Sequence, residues 1–305
     1  MRVISLLPSA TEIVAALGAM ECLVGVTHCC DHPPMVESRV RVTSTAVDAE
    51  AAPGVVDAQV RGLTSTGTPL YSLREDRITA LRPDLILTQS LCEVCAVMET
   101  DVRALAMRLL PVPQVITLSA TSLDGVLEDI ARVGVALGVS DEADEFIAGA
   151  RNRMSHVAAI LKSAHAPRPR TAVIEWGDPI YAAGHWVPEM IHRAGGIDVL
   201  AKPGEHSVVV TLEQVRASNP EVILIAPCGY DLPRAIQEGK RLLALPEWEW
   251  ARSRQVFALD ANAFASRPGP RLVDGIEVIA RLLHPSLFTP VDPIFAQPLT
   301  AAARA

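Results

Sequence analysis

The sequence has few aromatic residues, no block of basic charge and no long apolar run, and each absence carries information. Tryptophan, tyrosine and phenylalanine make up 4% of the chain, so any place where they gather stands out. The net charge of -8 leaves no basic face for phosphate, which argues against nucleic acid as a partner. No local cluster of Lys and Arg supports docking on a membrane surface. A run of about 18 apolar residues, the signature of a membrane-inserted helix, is missing as well. The opening "MRVISLLPSATEIVAALG" carries one Arg and then a short apolar run that meets Pro8. It lacks the longer apolar core and small-residue cleavage site of a secretory leader. The expectation is a cytoplasmic chain, or a periplasmic or otherwise extracytoplasmic one if a leader has been removed.

Enzyme signatures are also missing. No GxGxxG follows the first apolar strand and no GxxxxGK[ST] occurs, so nucleotide binding loses its usual loop. Neither GxSxG nor HExxH is present. No pair of carboxylates can be given a catalytic place, and the chain is expected to bind rather than to catalyse. The six cysteines, Cys22, Cys29, Cys30, Cys92, Cys95 and Cys228, point to a reducing compartment. A chain of 305 residues needs no disulfides for stability.

What is present is length for two cores, with half of the residues hydrophobic and a fifth charged. The two halves echo each other. "RVISLLPSATEIVAALGA" and "RTAVIEWGDPIYAAGHWVPEMIHRAGG" each read as a strand, a turn or loop and a helix ending at glycine. Later, "EDRITALRPDLILTQ" and "LEQVRASNPEVILIAP" each read as a short helix, a proline, an acidic residue and a buried strand. The pattern predicts an α/β fold of two lobes, each a parallel sheet flanked by helices.

Between the halves the sequence is helical. Leu123, Val126, Leu127, Ile130 and Leu137 keep one apolar face, Gly138 interrupts, and Ser140 is a good N-cap for a second stretch. Phe146, Ile147, Ala150, Met154, Val157 and Leu161 recur at helical spacing, and a helix over 141–164 would be roughly 36 Å long. The expected division is an N-terminal lobe over 1–120, a single long backbone helix within 121–166, a C-terminal lobe over 167–290 and a tail over 291–305. The tail, with its prolines and "TAAARA", is expected on the surface or partly disordered.

In parallel α/β sheets ligands bind where strands end. Four strand-end segments stand out here. "THCCDHPP" gathers His28, Cys29, Cys30, Asp31 and His32, and "SLCEVCAV" brings Cys92 and Cys95. Imidazole and thiolate ligate zinc, copper or nickel, and imidazole binds the cobalt or iron of a macrocycle. A lone CxxC is equally compatible with packed or hydrogen-bonded loop residues. "GDPIYAAGHW" and "CGYD" belong to the second half. Trp176, Tyr181 and Trp186 fall together there, and flat rings suit a flat organic ligand. Trp186 equally suits the start of a helix with its ring packed beneath. Phe264 and Arg267 precede a Pro-Gly-Pro turn, where Arg267 either meets an anionic ligand group or braces the turn. Pro8 and Ser9, in the first strand-end turn, join the ligand-contact candidates.

"RVISLLPSATEIVAALG", "LVGVTHCCDHPP", "RITALRPDLIL", "VTLEQVRASNPEVILI" and "RPGPRLVDGIEVIA" together resemble the helical-backbone class of substrate-binding proteins. Within it the chain resembles the cobalamin-binding proteins of ABC importers, over roughly residues 2–284. The resemblance implies two α/β lobes joined by a long helix, with a cobalamin or related corrinoid in the cleft between them. It places His28, Asp31 and His32 near the corrin face, and it implies docking on an ABC permease through Asp76 and Glu213. Binders of haem and iron siderophores share most of these segments. The cysteine-rich segments and the long stretch "DAEAAPGVVDAQVRGLTSTGTPLYS" depart from the compact importer proteins. They keep open intracellular handling of a corrinoid, a transition-metal-ion site built from His28, His32, Cys29, Cys30, Cys92 and Cys95, and a redox role for the CxxC dithiol.

Overall fold

The structure, a computed structural model, describes residues 1–90 and 97–304. It comprises two compact units, the first over Met1–Ala120 and Asp124–Ala148, the second over Thr121–Leu123 and Gly149–Ala305.

The first unit alternates strands and helices: β1 (Val3–Ser5), α1 (Pro8–Ala16), β2 (Leu23–Val26), β3 (Val40–Arg41), β4 (Thr43–Thr45), α2 (Pro53–Ser65), β5 (Tyr71–Leu73), α3 (Glu75–Leu81), β6 (Leu85–Gln89), α4 (Glu99–Ala106) and β7 (Gln114–Leu118). The main sheet is parallel, in the order β3-β2-β1-β6-β7, and β4 and β5 form a separate antiparallel pair. β1 and β6 are buried along their whole length. This is why they read as unbroken apolar runs rather than alternating ones. Pro8 opens α1 at a position whose N–H has no helical acceptor, and Gly18, at φ +71°, turns the chain away from its end. The long departing stretch forms α2 and β5.

Two helices come next, α5 (Leu123–Leu137) and α6 (Ser140–Ser163), separated at Gly138 with φ +73°. Ala150, Met154, Val157 and Leu161 are buried along one stripe of α6. The 24-residue α6 begins in the first unit and ends in the second.

The second unit contains β8 (Arg170–Gly177), β9 (Ile180–Ala182), α7 (Val187–Arg193), β10 (Ile197–Asp198), β11 (Val208–Val209), α8 (Leu212–Ala217), β12 (Val222–Ile225), α9 (Leu232–Ala244), β13 (Gln255–Leu259), α10 (Ala261–Phe264), α11 (Leu272–Leu283) and β14 (Ala296–Pro298). β10, β8, β12 and β13 run parallel, while β9, β11 and β14 are added antiparallel.

The sequence echo becomes a repeat of hydrogen bonds. The strand order β2-β1-β6-β7 recurs as β10-β8-β12-β13. In the first unit Asp84, after the helix-ending Pro83, accepts the Arg2 backbone N–H at 2.7 Å and donates its own N–H to the Arg2 carbonyl at 2.8 Å. In the second, Glu221 after Pro220 accepts the Arg170 N–H at 2.9 Å and donates to its carbonyl at 2.8 Å. Arg2 and Arg170 each return a guanidinium N–H to carbonyls at the end of the preceding helix, Leu81 at 2.6 Å and Ser218 at 3.2 Å. Arg82 and Asn219 both adopt left-handed backbone, at φ 45° and 46°. A right-handed helical residue clashes with a following proline, so both helices stop there.

Two expectations are corrected. "GDPIYAAGHW" is not one loop: Ile180–Ala182 folds back as β9, and Trp176 and Tyr181 sit opposite each other in the ladder. The tail is not loose either. β14 pairs with β13, and Leu299 packs into the core. Buried Thr300 accepts the Val256 N–H at 3.2 Å and donates to the Arg254 carbonyl at 2.7 Å. The backbone groups of β13 need partners once buried, and the C-terminal segment supplies them. Thr300→Val keeps the volume and orphans both groups, so it is expected to destabilise folding by about 1–3 kcal/mol in urea denaturation.

Candidate functional site

In the first unit the strand-end chemistry centres on His28, two residues beyond β2. Its backbone N–H donates to Thr43 Oγ1 at 2.9 Å, and its Nδ1 lies 2.7 Å from the same oxygen. Thr43 Oγ1 is also 2.7 Å from Thr27 Oγ1, and both threonines are buried. The ring lies beside Tyr71, with centroids 5.6 Å apart. Arg41 holds the loop by donating to the Thr27 and Cys30 carbonyls at 3.0 and 2.7 Å. Burial, helped by the positive charges of Arg41 and Arg74, keeps the His28 imidazole below its ordinary pKa. It is therefore neutral at neutral pH. Nδ1 is anchored, whereas Nε2 has no hydrogen-bond partner among the described residues.

The neighbouring candidates scatter. Cys30 is buried with its Sγ 3.0 Å from Thr11 Oγ1. Thr11 donates to Ser5 and Ser5 to the Leu7 carbonyl, so the thiol supplies the first proton of that chain. Cys29, Asp31 and His32 are exposed, Pro8 is half-buried and Ser9 is buried. No three His, Cys, Asp or Glu side chains gather as a metal site among the described residues. The expected donor set also includes Cys92 and Cys95; of its other members His28 is half-buried, Cys30 buried, and Cys29 and His32 exposed. Cys92 and Cys95 lie outside the described residues.

In the second unit Trp176 and Tyr181 are both half-buried, at the end of the β8–β9 hairpin. The Trp176 indole donates to the Asp178 carbonyl at 3.1 Å and meets Tyr230 edge-on at 5.6 Å. Arg234 lies 3.8 Å over the Tyr230 ring, a cation–π arrangement. Gly177 is required beside them: a Cβ there would collide with the buried Glu238 carboxylate, itself held by two 2.7 Å bonds from Arg241. Glu175, half-buried, has its carboxyl pushed above the usual range by desolvation, against the pull of hydrogen bonds from Ser207 and Gly184.

Trp186 and Phe264 are packed into this unit and have little surface to offer a ligand. Trp186 is 5% exposed with its indole donating to the Ala265 carbonyl at 2.7 Å, and Phe264 is 5% exposed against Phe295. Arg267 is half-buried and lends positive charge to Asp260.

Asp76 and Glu213 occupy the same place in the repeat, each the second residue of the short helix before the proline. Both are exposed and neither has a side-chain partner among the described residues. Sequence reasoning missed Thr43, Tyr71, Arg41, Tyr230 and Arg234. Thr43 and Tyr71 flank the long α2 segment and both reach His28 once β4 pairs with β5, a pairing for which no local pattern exists. "CGYD" did mark the position of Tyr230.

Residues 3–263 match the model of a family described as periplasmic binding protein. The chain is 25% identical over 284 residues to the vitamin B12-binding protein of Vibrio cholerae, covering 92% of this chain and 88% of that one. It is 24% identical over 292 residues to an uncharacterized ABC transporter substrate-binding lipoprotein of Bacillus subtilis, covering 94% and 81%. A periplasmic heme-binding protein from Pseudomonas aeruginosa superposes with a TM-score of 0.71 at 22% identity, covering 97% of both chains.

One acid in this unit gives a pH signature. Asp198 Oδ1 accepts from the Leu200 and Ala201 N–H groups at 2.9 Å, while Oδ2 is buried without a partner. Burial lifts its pKa from 3.8 to about 6. The folded chain thus favours the protonated form, whose contribution to stability is full below the unfolded value and is lost as pH rises through about 6. Asp198→Asn is expected to raise stability at alkaline pH by about 1–2 kcal/mol. Denaturation curves at several pH values should show that gain shrinking as the acid becomes protonated.

Proposed function

Because the chain belongs to the periplasmic binding protein family, we propose that it captures a corrinoid for ABC-type uptake. The observation that carries the ligand is similarity over more than nine-tenths of the chain to a protein named for vitamin B12. The cobalamin-binding protein of Halobacterium salinarum, 25% identical over 291 residues, supports the same class. His28 gives this a chemical basis. With the imidazole proton on Nδ1 and shared with Thr43, the Thr43 hydroxyl donates to Thr27 and Nε2 keeps its lone pair for a metal. Trp176 and Tyr181 supply flat apolar surface for a macrocycle. The family's members serve transporters rather than catalyse. Relatives named as periplasmic or as lipoproteins favour the extracytoplasmic alternative over the cytoplasmic one.

Titration with cobalamin, cobinamide and haemin, read by visible absorbance and calorimetry, separates the ligands. Cobinamide is expected to bind at micromolar or tighter Kd with a shifted spectrum, and His28→Ala to lose the shift and at least about tenfold in affinity. Binding of haemin alone would transfer the role to haem, and no binding of any of the three would sink the proposal.

We assign permease docking to Asp76 and Glu213, which repeat one exposed, unpaired position in both units. A carboxylate there meets a cationic surface without breaking any internal bond. Asp76→Lys with Glu213→Lys is expected to abolish ligand-stimulated ATP hydrolysis by the reconstituted permease. Corrinoid affinity should stay within about twofold, because neither residue belongs to the ligand candidates.

A further inference from the structure

Two histidines of the second unit meet without belonging to the ligand candidates. His185 follows β9 and His206 precedes β11, and Nε2 of the first lies 3.2 Å from Nδ1 of the second. The rings are nearly perpendicular, at 89°, with centroids 5.1 Å apart.

Both are mounted on fixed backbone. The His185 N–H donates to the Glu205 carbonyl at 2.6 Å, and the His185 carbonyl accepts the Gly204 N–H at 2.8 Å. The Gly184 N–H reaches Ser207 Oγ at 3.1 Å. A Cβ on Gly184 would stand 2.5 Å from backbone atoms of Glu205, His206 and Ser207, so the two segments touch backbone to backbone. His185 adopts left-handed backbone, at φ 55°, which a histidine takes up rarely, and its ring lies against Trp186 at 5.5 Å.

The spacing of the rings is that of a chelate. At this nitrogen separation, a hydrogen bond straight at both nitrogens would set the ring centres about 5.5 Å apart. They are closer, so the ring axes bend from that line. An ion about 2.0 Å from each nitrogen, at a tetrahedral angle, holds two imidazole nitrogens about 3.3 Å and their ring centres about 5.1 Å apart. Both distances match.

Ligation uses both lone pairs, hence neutral rings with their protons on His185 Nδ1 and His206 Nε2. Neither of those nitrogens is committed to another group among the described residues. Burial, then the nearby His206, holds the His185 imidazole below its ordinary pKa, which keeps its lone pair free at neutral pH. No third imidazole, thiol or carboxylate converges on the pair among the described residues, so two positions of a tetrahedron stay open to water. Imidazole suits zinc, copper and nickel rather than calcium or magnesium, and the tetrahedral angle favours zinc.

We propose that His185 Nε2 and His206 Nδ1 chelate a divalent transition-metal ion, zinc in the first place, which clips the turn before α7 to the segment before β11. The site uses no residue of the corrinoid proposal and stands apart from it.

Calorimetric titration of the full, reduced chain with zinc chloride tests this. It is read beside His206→Ala and His185→Asn, whose new side chain tolerates left-handed backbone, and beside Cys29→Ser as the control for an exposed thiol. One equivalent is expected to bind at about 1–100 µM, each histidine variant to weaken it by at least about tenfold, and Cys29→Ser to leave it within about twofold. The ring-proton NMR signals of His185 and His206 should shift together and saturate with that equivalent. His206 is exposed, so its removal leaves folding intact and decides alone if His185→Asn does not fold. No saturable zinc binding below about 1 mM, or binding that His206→Ala leaves unchanged, overturns the proposal.

Discussion

The register of each sheet rests on one carboxylate. Asp84 and Glu221 stand at the start of β6 and β12 and receive the backbone N–H of the residue that begins the neighbouring strand. Because side chains in a strand alternate faces, a slip of one residue would exchange the side chains that β1 or β8 presents to the layers packed on its two faces. The proline before each acid ends the helix, the acid takes the N–H, and the arginine across from it caps the helix it has just left. Three residue types at fixed spacing set where the chain stops coiling and which strand it joins.

That register in turn places the strand ends. β1 and β6 fix β2, β2 delivers Thr27 and His28, and β4 brings Thr43 beneath the imidazole. In the second unit β8 delivers Glu175 and Trp176, with Gly177 leaving room for the Glu238–Arg241 pair. His28 and Glu175 are both held toward their neutral forms, the first by burial near arginines and the second by burial alone among the causes that raise it.

The two units also show how one strand can be finished in two ways. β13 is closed by a segment more than thirty residues further along, which supplies a strand, a leucine side chain and a threonine hydroxyl. β7 is left with Arg103 and Arg132 beside it, each folded back on its own acid, and an apolar margin around it. Closing an edge is a property of distant chain, not of the strand, since Gln-Val-Ile-Thr-Leu and Gln-Val-Phe-Ala-Leu differ little in what they ask of a neighbour.

Local sequence alone determined much of the fold. The apolar runs at Val3, Leu23, Leu85, Arg170 and Val222, the Pro-acid punctuation and the spacing from Ala150 to Leu161 are local patterns, and local patterns report burial and helix ends directly. The same local view marked His28 and Trp176 by residue type, while Asp76 and Glu213 were marked only by the family resemblance. It misjudged the tail, because a short segment with prolines and alanines becomes ordered only when β13 offers unpaired backbone. It could not distinguish Trp186, a buried ring with its N–H on Ala265, from Trp176, a half-buried ring at a hairpin end, since the two differ only in what distant chain packs over them. Tertiary structure alone decided that Thr43 and Tyr71 meet His28, that Cys30 turns inward to Thr11, and which strand edge is closed. Each of these depends on contacts between residues far apart in sequence, whose free energy exists only once the sheets have formed.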